Sequence, residues 1–359
     1  MSKKIVTVVG ARPQFIKAAT VSRELKKAGF NEVIIHTGQH FDDNMSKIFF
    51  DEMEIPKPDY NLDVHSLSHG AMTGRMIEKI EKVLVKESPD YLIVYGDTNS
   101  TLAGAIAARK LQIPIAHVEA GLRSFNMSMP EEINRILTDR ISSLLFCPSD
   151  YAVENLKKEG FDNFSCQIVR SGDVMQDAAL FYNAKAMQKS TIIKALNLEN
   201  SKFILCTVHR QENTDDPDRL GNIISSLNEL SKKFQVILPL HPRTREIIKK
   251  TAQHLHFKPI DPVGYFDMIQ LIKNSEFVMT DSGGLQKEAF FFKKFCITLR
   301  DETEWVELTE HGFNVVAGAN KDRILSEAKK ISQKSANFDI DLYGQGKAAE
   351  NIVRVILKD

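Results

Sequence analysis

Ten short runs rich in β-branched residues, separated by longer stretches of helical pattern, restrict this chain to one class of architecture. The first five are Ile5–Val9, Val33–Thr37, Tyr91–Tyr95, Ile113–Val118 and Leu144–Pro148. The second five are Phe203–Val208, Gln235–Leu240, Phe277–Thr280, Phe295–Leu299 and Asn314–Val316. This βα alternation is that of parallel sheets covered by helices on both faces. The expected fold class is therefore α/β, with the strands in two groups. From Gln176 to Ser201 runs a helical and polar stretch without a convincing strand. A chain of 359 residues suits two domains, each burying its own core. We place the hinge near Gly172 and Asp173, giving an N-terminal domain over 1–172 and a C-terminal domain over 173–346. The last segment, 347–359, sets Ala349, Ile352, Val353 and Ile356 at helical spacing and either packs back on the first domain or serves as a capping helix.

Charge and cysteine use narrow the partners. Lys+Arg and Asp+Glu are equal at 47 each, so no surplus positive field gathers nucleic acid or anionic lipid. Met1-Ser2-Lys3-Lys4 precedes an apolar run too short for a signal peptide, and no span approaches transmembrane length, which argues for the cytoplasm and against a membrane partner. Cys147, Cys166, Cys206 and Cys296 are far apart inside apolar runs, as reduced core thiols are. No Gly-x-Gly-x-x-Gly follows a strand and no Gly-x-x-x-x-Gly-Lys-Ser/Thr occurs, which disfavours nicotinamide dehydrogenases and P-loop NTPases. His36 and His40 are four apart but span a strand end, so no metal is expected, nor any other cofactor.

The chemistry is written at the strand ends. Gly10-Ala11-Arg12-Pro13, Thr37-Gly38-Gln39-His40, Gly96-Asp97-Thr98 and His117-Val118-Glu119-Ala120-Gly121 each follow a strand, as do His209-Arg210-Gln211-Glu212, His241-Pro242-Arg243 and Asp281-Ser282-Gly283-Gly284 in the second group. Ligands of open α/β sheets bind beyond the carboxyl ends of strands, so these texts suggest two walls of one cleft. Ser282-Gly283-Gly284 opens a helix, whose free N–H groups favour a diphosphate; Glu288, one turn on, is placed to accept ribose hydroxyls. The alternative is a capped helix whose Gly pair only permits tight packing. Arg12 and Lys17 flank the first helix start, where either neutralises a phosphate or polarises a leaving group. Asp97, Glu119, Glu131 and His209 are the acid/base candidates. Pro130 starts a helix that puts Glu131 and Arg135 at i and i+4, a spacing that also suits a plain surface ion pair.

Taken in order, Gly10-Ala11-Arg12-Pro13-x-x-Ile16-Lys17, Thr37-Gly38-Gln39-His40, Gly96-Asp97-Thr98, His117-Val118-Glu119-Ala120-Gly121-Leu122-Arg123, Pro130-Glu131-Glu132-x-Asn134-Arg135, His209-Arg210-x-Glu212-Asn213 and Thr280-Asp281-Ser282-Gly283-Gly284-x-Gln286-x-Glu288 resemble the non-hydrolysing UDP-N-acetylglucosamine 2-epimerases over nearly the whole chain. The resemblance implies two Rossmann-like domains in the GT-B arrangement with the active site in the interdomain cleft, a homodimer, and a UDP-sugar substrate. It implies C2 epimerisation by anti elimination of UDP to a 2-acetamidoglucal and re-addition, in the supply of bacterial surface polysaccharide precursors. Carried over, Asp97, Glu119, Glu131 and His209 form the catalytic set, with Glu119 and Asp97 the proton carriers; Arg12, Lys17, Arg135, His241, Ser282, Gly283, Gly284 and Glu288 contact UDP or sugar. The chain departs from the family's usual text at Trp305, where an Arg is common, and at Gln211 and Asp42. Gly10-Ala11-Arg12-Pro13-Gln14 and Glu302-Thr303-Glu304-Trp305 also resemble relatives acting on modified sugars such as UDP-2,3-diacetamido-2,3-dideoxyglucuronate, while Gln211 and Asp42 fall where the family binds a second UDP-N-acetylglucosamine as activator. A hydrolysing 2-epimerase and a GT-B glycosyltransferase are the neighbouring enzyme classes.

Overall fold

The computed structural model describes residues 3–39, 57–240, 242–251 and 253–358, with the side chains of Arg12 and Pro242 outside that set. The expectations attached to the Arg12 side chain, His40, Asp42 and His241 therefore fall outside the described residues. Internal contacts divide the chain into two units, Met1–Ala178 with Asp341–Asp359, and Ala179–Ile340.

The first unit holds a seven-stranded parallel sheet of β1 (Lys4–Val9), β2 (Asn31–His36), β3 (Tyr60–Asn61), β4 (Tyr91–Tyr95), β5 (Ile115–Val118), β6 (Leu144–Cys147) and β7 (Gln167–Arg170), in the order β3-β2-β1-β4-β5-β6-β7. The chain winds one way from β1 to β3 and the other way from β4, so β1 and β4 form a switch point whose carboxyl ends diverge into a crevice. Every residue of β4, β5 and β6 is buried, which is what their uninterrupted apolar text requires. The helix His69–Glu87 turns Met76, Ile80, Val83 and Leu84 onto this core at a spacing of three to four. The next helix, Asn99–Lys110, is built from small residues because it lies against the sheet: a Cβ on Gly104 would come 3.2 Å from Val94 Cγ1. The C-terminal helix Ala348–Lys358 buries Ala348, Ala349, Ile352, Val353 and Ile356 and packs on the helix Arg12–Lys27. Asp177 caps its start, accepting from the Ala348 and Ala349 amides at 3.1 and 2.8 Å.

The second unit holds a five-stranded parallel sheet of β8 (Phe203–Thr207), β9 (Gln235–Ile237), β10 (Val278–Thr280), β11 (Cys296–Thr298) and β12 (Asn314–Val316), ordered β12-β11-β10-β8-β9. A single parallel bridge, Pro239 to Ile260, extends the β9 side. Here the switch point lies between β8 and β10. All ten expected strands are present; two were not foreseen. Residues Tyr60–Asn61 are too short to show a period, and β7 is an edge strand whose Gln167 and Arg170 hide its apolar centre. Cys147, Cys206 and Cys296 are buried free thiols and Cys166 is a half-buried one. Among the described residues no helix is long and apolar enough to cross a membrane.

Candidate active site

At the β1–β4 crevice the first helix start is already filled. Gln14 turns back so that its Oε1 accepts from the Gly10 and Ala11 amides at 2.8 and 3.0 Å, while its Nε2 donates to Tyr95 O and Thr101 Oγ1 at 2.7 and 2.9 Å. A Cβ on Gly10 would strike Ser100 Oγ and Thr37 Oγ1. That glycine is therefore required by packing within the protein, and the two amides have no room to receive an anion.

Beside this clamp stand the carboxylates. Gly96 takes φ +62°, turning the chain out of β4 so that Asp97 lies at the mouth; a Cβ there would approach Lys17 Nζ and Glu119 Oε1 at 3.3 and 3.5 Å. Lys17, reaching up from the first helix, pairs with Glu119 at 2.8 Å, both side chains about nine-tenths buried. Asp97 is paired with Arg135 at 2.6 Å, and Arg135 is held in turn by Glu132 at 2.7 Å. Loss of hydration pushes the Asp97 carboxyl above its usual range, with Arg135 opposing and the nearby Glu119 charge adding to the rise. Glu132 goes the other way: burial resists its charge, but the Ser124 and Phe125 amides and Arg135 outweigh that and hold it below the usual range. Asn134 fixes the Asp97 carbonyl at 2.8 Å. Lys17, Gln39, Asp97, Asn99, Glu131 and Asn134 line one pocket of about 240 Å3. The helix does not form the alternative surface ion pair between Glu131 and Arg135: it directs a nearly buried Arg135 to Asp97 and Glu132, and leaves Glu131 exposed at the pocket rim.

In the second unit the organising residue is Asp281, fully buried just past β10. It accepts from the His209 and Arg210 amides at 3.0 Å each and from Asn213 at 3.2 Å, and its Oδ1 lies 3.1 Å from His209 Nδ1. Burial opposes its charge, but these contacts win, led by His209, and its carboxyl sits below the usual range. His209 is more than half exposed, a presented ring oriented by a buried carboxylate.

Next to it the helix Gly283–Phe291 begins at Ser282, which makes no side-chain cap bond among the described residues, in contrast to the Thr98-capped helix of the first unit. The two glycines differ in their reasons. A Cβ on Gly283 would collide with Glu304 Oε1, whose carboxylate is held by Arg300 at 2.7 Å. A Cβ on Gly284 would meet no described atom within 4 Å. Tight packing therefore explains Gly283 but not Gly284, whose open face beside uncapped amides fits the approach of an anion. Glu288 is buried one turn further along this helix, and Trp305 is buried with Lys287 Nζ 3.9 Å from its ring centre.

The supporting residues Gln14, Glu132 and Asp281 were not chosen as site candidates from sequence. Asp281 carried a signal, a carboxylate directly after an apolar strand; Gln14 lies inside a helix and reaches Tyr95 and Thr101 far along the chain, and Glu132 draws on the turn before its own helix and on Arg135 one turn later.

Residues 23–357 match the family model described as UDP-N-acetylglucosamine 2-epimerase. The chain is 55% identical, over 99% of both proteins, to the UDP-2,3-diacetamido-2,3-dideoxy-D-glucuronate 2-epimerase of Pseudomonas aeruginosa. It is 43% identical, over 98% of both, to the UDP-N-acetylglucosamine 2-epimerase of Methanocaldococcus jannaschii. Among solved structures it is similar to the M. jannaschii UDP-GlcNAc 2-epimerase in complex with UDP-GlcNAc and UDP, with a TM-score of 0.89 at 42% identity over 99% of this chain and 100% of that one. It is also similar to the Neisseria meningitidis enzyme bound to UDP-GlcNAc, with a TM-score of 0.88 at 33% identity over the same shares.

Proposed function

This chain belongs to the UDP-N-acetylglucosamine 2-epimerase family, and from that premise we propose that it inverts C2 of UDP-2,3-diacetamido-2,3-dideoxy-D-glucuronate. That it is an epimerase of UDP sugars follows from the family. The choice of sugar rests on one observation, the 55% identity from end to end to an enzyme named for that uronate, against 51% to a homolog and 43% to an enzyme named for UDP-N-acetylglucosamine.

The chemistry is set by the substrate. No carbonyl adjoins C2 to acidify its proton, so removal must be helped by departure of the group on C1. A base takes the C2 proton, the C–H pair becomes the C1=C2 bond, and the C1–O pair leaves with UDP. Return of a proton to the opposite face of C2 and addition of UDP oxygen at C1 completes the inversion with no net change in atoms. Two carriers are needed, one for each face, and Glu119 and Asp97 are our candidates. Both are ion-paired, Glu119 with Lys17 and Asp97 with Arg135; of the two, Asp97 is the one whose carboxyl burial pushes above its usual range, which favours it as the group that returns the proton. Glu131 at the pocket rim and the presented His209 complete the proposed set. Ser282, Gly283, Gly284 and Glu288 are assigned to UDP, supported by the helix start that Ser282 leaves uncapped and the open space at Gly284. Lys17 and Arg135, with Arg12 and His241, are assigned to phosphate or sugar.

The reading extends to a homodimer in the cytoplasm. Exposed Phe125, Met127, Ile133 and Leu137, on the helix Pro130–Ile141 and the turn before it, support a surface for a second copy, and unpaired cysteines suit a reducing compartment. The test is proton NMR in D2O with each UDP sugar. Deuterium at C2 and a manno epimer still joined to UDP, faster for the diacetamido uronate, is the expected result. A preference for UDP-N-acetylglucosamine overturns the choice of sugar, and release of free sugar overturns the non-hydrolysing course.

A further inference from the structure

We propose that His117 and Asp139, which do not line the pocket, are positioning residues that hold the Asp97 and Glu119 turns in register with each other. The proposal rests on the reading that these two carboxyls carry the C2 proton.

His117 stands on β5 with its side chain wholly buried. Its Nδ1 lies 2.6 Å from Asp139 Oδ1 and its Nε2 2.8 Å from the carbonyl of Gly96, the residue before Asp97. Both neighbours are acceptors. The other oxygen of Asp139 accepts from Arg123 at 2.7 Å and from the Gly121 amide at 3.1 Å, and although burial resists its charge, His117 and Arg123 hold its carboxyl below the usual range. The Gly96 carbonyl can only accept, so the Nε2 side of the ring donates to it while Asp139 Oδ1 fixes the Nδ1 side. Arg123 is closed by Glu159 through two bonds of 2.7 and 2.9 Å.

The pair acts on both turns. Through His117 it grips the Gly96 carbonyl, and the Gly96 amide is bonded across to Val118 O at 2.9 Å. Through Asp139 it grips the Gly121 amide, two residues past Glu119. Glu119 itself takes φ +75°, a conformation that a non-glycine residue keeps only when its surroundings impose it, while Gly121 takes φ +80° freely. Two groups that work on opposite faces of one carbon must keep their separation, and a displacement of about 1 Å costs about 100-fold in rate.

The test compares His117→Phe, which keeps a ring but no donor, with His117→Gln, which keeps a donor for Gly96, and Asp139→Asn. The readouts are kcat and KM for C2 proton exchange, UDP affinity by calorimetry, and the unfolding curve. The groups assigned to the UDP helix start lie in the other unit, so UDP binding counts the folded molecules of that unit, and the unfolding curve reports the unit that holds His117. Expected is a fall in kcat of about 100-fold for His117→Phe and about 10-fold for the other two, with KM and UDP affinity within about threefold of wild type. Wild-type kcat per UDP-binding molecule in His117→Phe, or no recovery in His117→Gln, overturns the proposal. Should His117→Phe fail to fold, wild-type kcat in both remaining variants does so. Wild-type protein that exchanges no C2 proton on either UDP sugar overturns the preceding reading instead, and is run first.

Discussion

The two glycines of the Ser282-Gly283-Gly284 helix start make opposite predictions, because one is enclosed and the other is not. At Gly284 a methyl group meets no described atom within 4 Å, so Gly284→Ala leaves the fold intact and removes a flexible residue from a helix. The expected gain is up to about 1 kcal/mol, or roughly 2–4 °C in melting temperature for a unit of this size. The same methyl stands where the diphosphate must approach, and losing one charge-assisted N–H bond costs about 1.5–3 kcal/mol, roughly a 10- to 100-fold weaker UDP affinity. At Gly283 the methyl strikes Glu304, which Arg300 holds in place, so Gly283→Ala should destabilise by about 1–3 kcal/mol as overpacking does. Thermal unfolding without ligand and calorimetric titration with UDP read both quantities. A Gly284→Ala protein that melts at or above the wild-type temperature and binds UDP as wild type does would refute the placement of the nucleotide.

Three further outcomes are expected. Glu119→Gln should lower turnover by about 10²–10⁴-fold while UDP affinity survives, and unchanged exchange of the C2 proton would remove Glu119 from the proton path. Asp281→Asn removes the charge that orients His209, so turnover should fall by more than tenfold, roughly the low end for a misoriented acid/base group, with the 209–213 segment losing protection in hydrogen exchange; wild-type turnover would leave His209 without that role. Burial pushes the Asp177 carboxyl up to about 6, against the help it receives from the Ala348 and Ala349 amides. A raised carboxyl favours the folded state most when both states are protonated, so stability should decline as pH rises from about 4 to about 6. Denaturant unfolding across that range should show the slope in wild type and its loss in Asp177→Asn.

The fold was largely legible because parallel strands buried on both faces announce themselves as unbroken apolar runs, and each run ended where the structure presents polar groups. What failed had physical causes. β3 is too short to carry a period, and β7 is an edge strand with polar ends. At the site, Asp97, Glu119 and His209 were visible as titratable residues directly after strands, and Lys17 as a cation one turn into the first helix. Their supports were not. Gln14 reaches Tyr95 and Thr101 across 81 and 87 positions of sequence, and Asp139 meets His117 from a helix 22 positions away. Arg135 was visible as a site residue but its partners were not, since periodicity gives the face of a helix without saying which neighbour that face meets.

The pocket beside Asp97 bears on inhibitor discovery. At about 240 Å3 it falls below the roughly 300 Å3 at which cavities begin to enclose drug-sized compounds. A molecule aimed at the first unit alone would have to be a fragment, and Lys17, Asp97, Asn99 and Asn134 would rank such fragments by where they place donors and acceptors.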